Sequence, residues 1–236
     1  MRFSIGKSGM FWTFLEPFFQ VLVFVFIKVT LFGRLSDLFD YTVFLSLNFI
    51  AFNMFRHIVT NAMNSFTANK ALFVYKQVKP IDTVIARALV ELFLTSVIIV
   101  IFIFLGLYLG YDLSVKNLPM VVLAFLWLFI FSTFIGLLLA VGNTLYKSIG
   151  KIIKIMMTFL LFTSAVFYTI DMIPLNIREY LLLNPLVHFL EMLHGYFFDV
   201  LNDRYVDYEY IITITLFVMF ISLILYKRVE RKIISL

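Results

Sequence analysis

The run Val97-Ile98-Ile99-Val100-Ile101-Phe102-Ile103-Phe104 decides the fold class of this chain, because it contains no polar side chain. A strand of a transmembrane barrel is shorter and alternates apolar with polar residues. An unbroken apolar run inside the longer stretch Val84–Gly110 therefore predicts a helix that is surrounded by lipid or protein. A helix needs about 20 such residues to cross the hydrocarbon core of a membrane, and this stretch is long enough to cross with a tilt.

Other segments of similar length and composition lie on both sides of this run, so we predict an all-helical protein with six transmembrane helices. The predicted spans are Phe14–Phe32, Thr42–Val59, Val84–Gly110, Pro119–Leu145, Ile149–Ile170 and Tyr210–Tyr226. No internal repeat and no appended soluble domain is visible in the sequence. Residues 1–236 are therefore interpreted as a single membrane domain.

The composition agrees with a membrane protein, since 63% of the 236 residues are apolar, 14% are charged and the mean hydropathy is +1.02. Soluble domains are about 45–50% apolar and about 25% charged. A soluble monomer of this size cannot hide so much apolar surface, which excludes a soluble enzyme, a disordered protein and a nucleic-acid binder. Cys is absent, and the three His residues do not form a zinc-protease motif, so no metal site is expected.

The basic residues predict the orientation of the helices in the membrane. If the amino terminus is cytoplasmic, 14 of the 19 Lys and Arg residues fall on the inner side. Cytoplasmic loops carry an excess of Lys and Arg, so both termini are predicted to be cytoplasmic. The inner residues are Arg2, Lys7, Arg56, Lys70, Lys76, Lys79, Arg87, Lys147, Lys151, Lys154, Lys227, Arg228, Arg231 and Lys232, and the outer ones are Arg34, Lys116, Arg178 and Arg204.

The segment Met172–Val200, between the fifth and sixth predicted spans, contains two apolar pieces that are too short to cross. Asn184 as N-cap and Pro185 at the first helical position predict a helix start between them. We interpret the segment as a re-entrant helical hairpin at residues 172–200 that dips into the outer leaflet beside a translocation path. The alternative is a helix that lies flat on the periplasmic surface.

Three stretches outside the helix interiors have a distinctive pattern: Trp12 with Leu15-Glu16-Pro17, the loop from Asn69 to Arg87, and Leu182-Leu183-Asn184-Pro185-Leu186-Val187-His188 followed by Glu191. The loop reads Asn69-Lys70-Ala71-Leu72-Phe73-Val74-Tyr75-Lys76-Gln77-Val78-Lys79-Pro80-Ile81-Asp82-Thr83-Val84-Ile85-Ala86-Arg87. Together they resemble the ABC-2 type permeases that export capsular polysaccharide, the KpsM-like family. The likeness runs from Phe11 to the end of the chain.

This resemblance implies a half-transporter that forms a homodimer, each copy of which docks a separate ATP-binding cassette ATPase holding ATP and Mg. The assembly would move lipid-anchored polysaccharide from the cytoplasm to the periplasm across the bacterial inner membrane. A periplasmic polysaccharide co-polymerase and an outer-membrane exporter would continue the path. The sequence contains no Gly-x-x-x-x-Gly-Lys-[Ser/Thr] phosphate loop, so this chain is expected to bind no cofactor and to perform no covalent chemistry.

Two alternatives stay open at the level of sequence. A related ABC-2 exporter of O-antigen, teichoic acid, a drug or a lipid would share the topology but not the Lys79-Pro80-Ile81-Asp82 loop. An intramembrane enzyme would need a catalytic pair inside a span. No Ser/His, His/Asp or paired-Asp arrangement occurs in the six predicted spans, which counts against an enzyme.

The basic loop at residues 60–83 is the candidate coupling loop, which in the family resembles a helix that slots into a groove of the ATPase. Aromatic side chains concentrate binding energy at interfaces, whereas lysines steer the encounter. The alternative is a loop attracted only to lipid headgroups. The coupling candidates are Lys70, Phe73, Tyr75, Lys76, Lys79, Pro80 and Asp82.

Candidates for a substrate channel or gate lie near the ends of the first and fifth predicted spans. Aromatic rings can stack on sugar faces, and a cation can attract an acidic polymer. The alternative to a role in transport is a structural one. Aromatic rings can anchor a helix at the membrane interface, a lysine can snorkel to the headgroups, and an acid can stabilise a helix amino end. The candidates are Trp12, Phe14, Glu16, Phe18, Lys28 and Tyr168.

Two pairs of charged or titratable residues share a helix face. Arg87 and Glu91 are one turn apart at the mouth of the third span, and we predict a structural ion pair at the cytoplasmic rim rather than a gate. His188 and Glu191 are three residues apart in the hairpin. Two ligands without a third are weak evidence for a metal, so we predict a mutual hydrogen bond that holds the hairpin.

Overall fold

The computed structural model of the chain describes residues 19–23, 26, 40–75, 77–146 and 148–234. Every regular element within these ranges is helical, which confirms the all-helical fold class. Of the first predicted span only residues 19–23 and 26 are described, and they are helical. This short stretch contacts the next helix, since Asn53 Nδ2 donates a hydrogen bond to Gln20 Oε1 at 2.7 Å.

The α-helices of the described ranges fall into long spanning helices and short connecting ones. They are α1 (Tyr41–Met63), α2 (Ser65–Ala68), α3 (Pro80–Tyr108), α4 (Leu118–Leu145), α5 (Ile149–Thr163), α6 (Leu175–Leu181), α7 (Pro185–Phe197) and α8 (Tyr208–Ile234). Turns of 3₁₀ helix at Lys70–Val74 and Ile170–Met172 follow α2 and precede α6.

Four of these helices, α1, α3, α4 and α8, are long and apolar enough to cross a membrane. They correspond to the second, third, fourth and sixth predicted spans, and their bounds differ from the prediction by up to eight residues at the charged end of α8. Apolar length did not predict this extension, because the last two turns of α8 carry four basic side chains beyond Tyr226. The prediction of these four helices from apolar length was therefore confirmed.

The fifth predicted span was too long, because α5 ends at Thr163 and not at Ile170. At 15 residues it is about 22 Å long, less than the hydrocarbon core of about 30 Å. The helix stops because Ala165 adopts φ +58°, a left-handed conformation that a right-handed helix cannot continue through. Asn184 then satisfies the freed backbone, since its Nδ2 donates to Thr163 O at 3.3 Å and to Ser164 Oγ at 2.9 Å.

The core is built around α1. In its most apolar 18-residue stretch 78% of the residues are buried, against 28% in that of α3 and 22% in that of α8. Helix α4 packs against both α1 and α8. Helices α1 and α4 approach closely at Gly136, where an added Cβ would lie 2.6 Å from Cβ of Ala62. The outward faces of α3 and α8 carry exposed rings such as Phe104 and Phe220, which suits contact with lipid or with another chain.

The connections define two ends of the helix bundle. One end, the loop end, holds α2, the start of α3, the start of α5 and the last turns of α8. The other, the hairpin end, holds the start of α1, the starts of α4 and α8, and residues 164–207. Tyr41 Oη donates to Phe167 O at 3.0 Å there, and Lys116 N donates to Phe197 O at 3.1 Å.

Candidate functional site

The predicted coupling loop folds into short helical pieces at the loop end of the bundle. Helix α2 and the 3₁₀ turn Lys70–Val74 follow α1 directly, and the chain then leads into α3 at Pro80. Residues 65–75 are called the docking segment below. The segment has no Pro or Gly, in keeping with its helical turns.

The candidate anchors of the docking segment differ in how far their side chains are exposed. Phe73 is only 6% exposed and packs into a cluster with Phe66, Val84 and Tyr226, so its ring belongs to the core of this chain. Tyr75 is 64% exposed and Val74 is 82% exposed. The prediction that Phe73 anchors a partner was therefore wrong, whereas Tyr75 stays a candidate and Val74 was overlooked.

The Lys79-Pro80-Ile81-Asp82 sequence forms the start of α3. Pro80 occupies the first turn and is buried, and the Asp82 carboxylate accepts a hydrogen bond from Lys79 N at 2.9 Å. An acid at this position satisfies an amide that the helix leaves free and also suits the helix dipole. Pro80 and Asp82 thus have a structural role within the chain. The side chains of Lys70 and Lys79 are exposed, and Lys76 lies outside the described residues.

Helix α8 braces this end through one tyrosine. Ile81 N donates to Tyr226 Oη at 3.4 Å, and Tyr226 Oη donates to Glu230 at 2.7 Å. The Tyr226 ring lies 6.4 Å from the ring of Phe66 in α2. The docking segment is therefore fastened to α8 as well as to α1, so a force on it reaches both helices.

At the hairpin end, a buried polar network joins three parts of the chain. His194 Nε2 lies 2.8 Å from Asn48 Oδ1, and His194 Nδ1 lies 3.2 Å from Glu191 Oε1. Asn48 Nδ2 donates to Val166 O at 3.0 Å, and Ile170 N donates to Glu191 Oε1 at 3.0 Å. Asn48, Glu191 and His194 are at most 2% exposed. The network ties α1, α7 and the 164–170 segment together.

Hydrogen-bond directions assign the roles in this network. Because the Asn48 amide nitrogen donates to Val166 O, its oxygen faces His194 and must accept. His194 Nε2 therefore donates to Asn48 Oδ1. One proton joins His194 Nδ1 to Glu191 Oε1, so the two side chains form a buried hydrogen-bonded pair.

The predicted His188–Glu191 hydrogen bond was wrong, since each of the two side chains has other partners. His188 Nδ1 accepts from Asp207 N at 3.1 Å, and His188 Nε2 therefore donates to Leu182 O at 2.7 Å. This pairing requires a neutral ring protonated at Nε2. His188 thus holds the start of α8 to the turn before α7, and His194 takes the role that the sequence assigned to His188.

The helix start at Asn184-Pro185 was confirmed. Asn184 Oδ1 accepts from Leu186 N at 3.1 Å as the N-cap of α7, while its amide nitrogen caps the end of α5. One side chain therefore joins the ends of two helices. Helix α7 starts deep in the bundle, since the Phe189 ring lies 5.3 Å from Phe131 in the middle of α4, and it ends at the hairpin end, where Phe197 O accepts from Lys116 N.

The predicted Arg87–Glu91 ion pair does not form. Glu91 is 5% exposed and faces α1, where Asn61 Nδ2 donates to Oε1 at 2.6 Å and His57 Nδ1 lies 3.9 Å from Oε2. Arg87 Nε has no hydrogen-bond partner among the described residues. Glu91 therefore joins α3 to α1, because a buried acid is held by the polar groups that face it across the helix contact.

Comparison with known proteins adds evidence that is independent of this geometry. Residues 2–198 match the family described as ABC-2 type transporter. The chain belongs to the ABC-2 type transporter family. Family membership agrees with the all-helical bundle and with its long apolar helices.

Relatives within this family cover almost the whole chain. The polysialic acid transport protein KpsM of Escherichia coli is 30% identical over 99% of this chain and 91% of its own length. The capsule polysaccharide export inner-membrane protein CtrC of Neisseria meningitidis serogroup A is 26% identical over 98% of this chain and 87% of its own length. The protein of the same description from Haemophilus influenzae, BexB, is 25% identical over 98% and 88%.

The channel candidates of this ABC-2 chain are mostly outside the described residues. Trp12, Phe14, Glu16, Phe18 and Lys28 lie there. Tyr168 is described: it is half-buried in the segment after α5, and its hydroxyl donates to Phe162 O at 3.1 Å. This hydrogen bond ties Tyr168 back to the last turn of α5.

Two polar residues of the network were overlooked at the level of sequence. Asn48 lies inside the second predicted span, and His194 lies in the hairpin. Polar side chains inside a membrane segment are expensive and usually have a partner, which is the signal that identifies Asn48. Its partners 118 and 146 residues away follow only from the fold.

Proposed function

We propose that this chain is the membrane-spanning subunit of an ATP-driven exporter that carries lipid-linked capsular polysaccharide from the cytoplasm to the periplasm. The observation that carries the proposal is similarity over 98–99% of the chain to relatives named for polysialic acid transport or capsule polysaccharide export. Two of these relatives are named as inner-membrane proteins, and the four apolar helices suit the same location.

ATP hydrolysis belongs to a separate ATP-binding cassette subunit, which holds ATP and Mg. The sequence has no phosphate loop, and the docking segment presents Val74 and Tyr75 outward beside the exposed Lys70 and Lys79. An exposed aromatic ring with a basic surround suits a protein groove, in which the ring supplies affinity and the charges supply steering. Closure of the ATPase would then push on the docking segment.

The arrangement in the membrane has six spans, cytoplasmic termini and a re-entrant hairpin. In support, most described basic residues lie at the loop end, whereas Asp171, Asp203 and Asp207 lie at the hairpin end. Contact of Phe189 with mid-helix Phe131 favours a hairpin that enters the bundle over one that lies flat. Helix α5 covers part of the membrane thickness, and α7 covers the part nearest the hairpin end.

Two copies form the transport path, with the exposed apolar faces of the spanning helices toward lipid or toward the second copy. The chain does no covalent chemistry. Movement of the docking segment passes to α1 and α8 through Phe73 and Tyr226, and these helices change the width of the path. A periplasmic co-polymerase and an outer-membrane exporter receive the polymer.

The test is deletion and replacement in an encapsulated bacterium. Deleting this subunit should leave capsule polymer inside the cell, and expression of the chain should return polymer to the surface, as measured with a polymer-specific antibody on intact and opened cells. Polymer that reaches the surface of the deletion strain would overturn the proposal. Co-purification of the ATPase with the chain tests the docking separately.

Export of a different cell-surface glycan, such as O-antigen or teichoic acid, or of a drug or lipid, is the alternative. The same deletion strain distinguishes these, because antibody to each glycan reports its own surface level. Normal capsule with loss of another glycan would favour the alternative.

A further inference from the structure

A cavity of about 340 Å³ opens at the loop end, between the α1–α2 turn, the last turn of α4 and the first turns of α5. It lies apart from the outward-facing Tyr75 of the docking segment and from the buried polar network. Ligand pockets in proteins range from about 300 to about 1,000 Å³, so this cavity is large enough for a small headgroup.

The charged side chains that line the cavity are all positive. Lys151 and Lys154 line it from α5, and the residues that line it include no carboxylate. Neither lysine side chain forms a hydrogen bond or an ion pair with another described residue. They are three residues apart and so lie on one face of α5, which directs two ammonium groups at one volume.

Among the other polar side chains that line the cavity, the Asn143 amide is available to bind a ligand. Thr67 Oγ1 donates to Asn64 O and Thr144 Oγ1 donates to Ala140 O, so both hydroxyl protons are used. The side-chain amide of Asn143 has no hydrogen-bond partner among the described residues and lies between α4 and the start of α5. The cavity therefore offers two cations and one amide, all of them donors for an anion.

The shape of the floor depends on Gly150. A Cβ added there would lie 3.4 Å from Asn143 Oδ1 and 3.7 Å from Met63 Cε, so a larger side chain would fill the space between α1 and α4. The first turn of α5 also places the positive end of a 15-residue helix beside the cavity.

We propose that this cavity binds a phosphate group, presented either by a lipid headgroup or by a soluble phosphate compound. Phosphate matches the donor set, because lysines bind it as point charges and an amide nitrogen adds a directed hydrogen bond. The site goes beyond the export function and does not depend on the identity of the exported polymer.

The test is calorimetric binding to the purified full-length chain in a nonionic detergent. One titration uses dihexanoyl phosphatidylglycerol and the other uses sodium pyrophosphate, so that the two sources of phosphate are distinguished. Saturable binding of either probe is expected, and it should weaken with added salt because the cavity is open to solvent. Failure of both probes to bind the unmodified chain overturns the proposal.

Variants show whether the binding is at the cavity. The double variant Lys151→Gln/Lys154→Gln should weaken binding about tenfold or more, since it removes both charged donors. The matched control, Lys227→Gln/Arg228→Gln, removes the same charge from exposed positions at the same end of the molecule but outside the cavity, and should change binding by less than about twofold. Equal loss in both variants would mean unspecific charge attraction and would overturn the proposal.

A second variant separates cavity shape from charge. Gly150→Val keeps every lysine and should also weaken binding, because its side chain fills the floor. Unmodified affinity in a Gly150→Val protein that elutes normally in gel filtration would overturn the proposal. Export is not measured, so a negative result here leaves the proposed function standing.

Discussion

At the scale of single residues, the Glu191 carboxylate is the most consequential polar group of the hairpin end. It accepts a hydrogen bond from Ile170 N, shares one with His194 and is 2% exposed. Removal of one partner from a buried hydrogen bond leaves the other group unsatisfied. Loss of this side chain therefore affects both α7 and the 164–170 segment.

We predict that Glu191→Ala lowers the free energy of unfolding by about 1–3 kcal/mol for each buried group that it leaves without a hydrogen-bond partner, namely His194 Nδ1 and the Ile170 amide. The measurement is a denaturation curve in detergent micelles. Glu179→Ala is the control, since it removes the same group from an exposed position of α6 and should change little. Curves that coincide for the two variants would contradict the assigned network.

The two aromatic residues Phe73 and Tyr75 should behave oppositely when truncated. Phe73→Ala opens a hole in the cluster with Phe66 and Tyr226 and should destabilise the chain by about 3–5 kcal/mol. Tyr75→Ala should leave stability unchanged and should reduce the amount of ATPase that co-purifies. Full ATPase recovery with Tyr75→Ala would argue against the docking segment as the contact.

Sequence patterns predicted these residues unevenly, for a physical reason. Asn184 with Pro185 could be predicted as a helix start because capping is decided within a few residues of chain. Three contacts could not be predicted, because they join groups 19 to 30 residues apart: Asp207 N with His188, Ile170 N with Glu191, and Asn61 with Glu91. Spacing along a helix shows which residues share a face, but not what that face meets.

At the scale of elements, the crossing of α1 and α4 depends on the absence of a side chain. A Cβ at Gly136 would come within 2.6 Å of the Ala62 Cβ, and carbon atoms at that distance repel strongly. The two helices must then separate or rotate.

Gly136→Ala should therefore destabilise the fold by about 1–3 kcal/mol, as expected for overpacking, with thermal unfolding in detergent as the measurement. Adding Ala62→Gly to this variant should restore part of the loss, because it removes the atom that clashes. Gly106→Ala is the control, since the atoms near it belong to the flexible Leu113 side chain. A double variant no more stable than Gly136→Ala alone would rule out the contact as the cause.

Helix α5 shows what apolar length can and cannot predict. Residues 149–170 are apolar enough for a full span, yet the helix stops at Thr163. The stop is set by a left-handed residue at Ala165, which is not a glycine, and by a cap from Asn184, 21 residues from the carbonyl that it satisfies. Neither feature changes local hydropathy, so the long helices were predictable and this break was not.

At the scale of the whole molecule, charge separates the two ends of the bundle. Near the hairpin end, Arg204 is paired with Asp171, and the hydrogen bond to that carboxylate raises the pKa of the Arg204 guanidinium. The same arginine lies over the ring of Tyr205, 4.8 Å from its centroid, and Arg178 lies 4.6 Å from it. These few cations are bound to neighbours, whereas the last turns of α8 carry exposed Lys227, Arg228 and Arg231.

The proposed orientation places the loop end in the cytoplasm, and the absence of Cys makes it directly testable by labelling of single introduced cysteines. In cells that lack the partner ATPase, Val74→Cys, at the loop end, should react with an impermeant maleimide only after the cells are opened, and Val200→Cys, at the hairpin end, should react in intact spheroplasts. Both positions are more than half exposed, so access to the thiol depends on the side of the membrane. Reaction of Val74→Cys in intact spheroplasts would reverse the proposed orientation.

The tight contact of Gly136 with Ala62 also has a mechanical consequence. Ala62 is next to the last residue of α1, and Asn48 lies 14 residues, about 21 Å, further along the same helix. Because α1 is held at the Ala62 end by Gly136 and at the other by the buried polar network, we expect a push from the docking segment to move both ends of α1 together. Spin-label distances taken at both ends during ATP turnover would measure this, with displacement confined to one end arguing against it. Helix α1 would then be a connecting rod between the cytoplasmic partner and the hairpin.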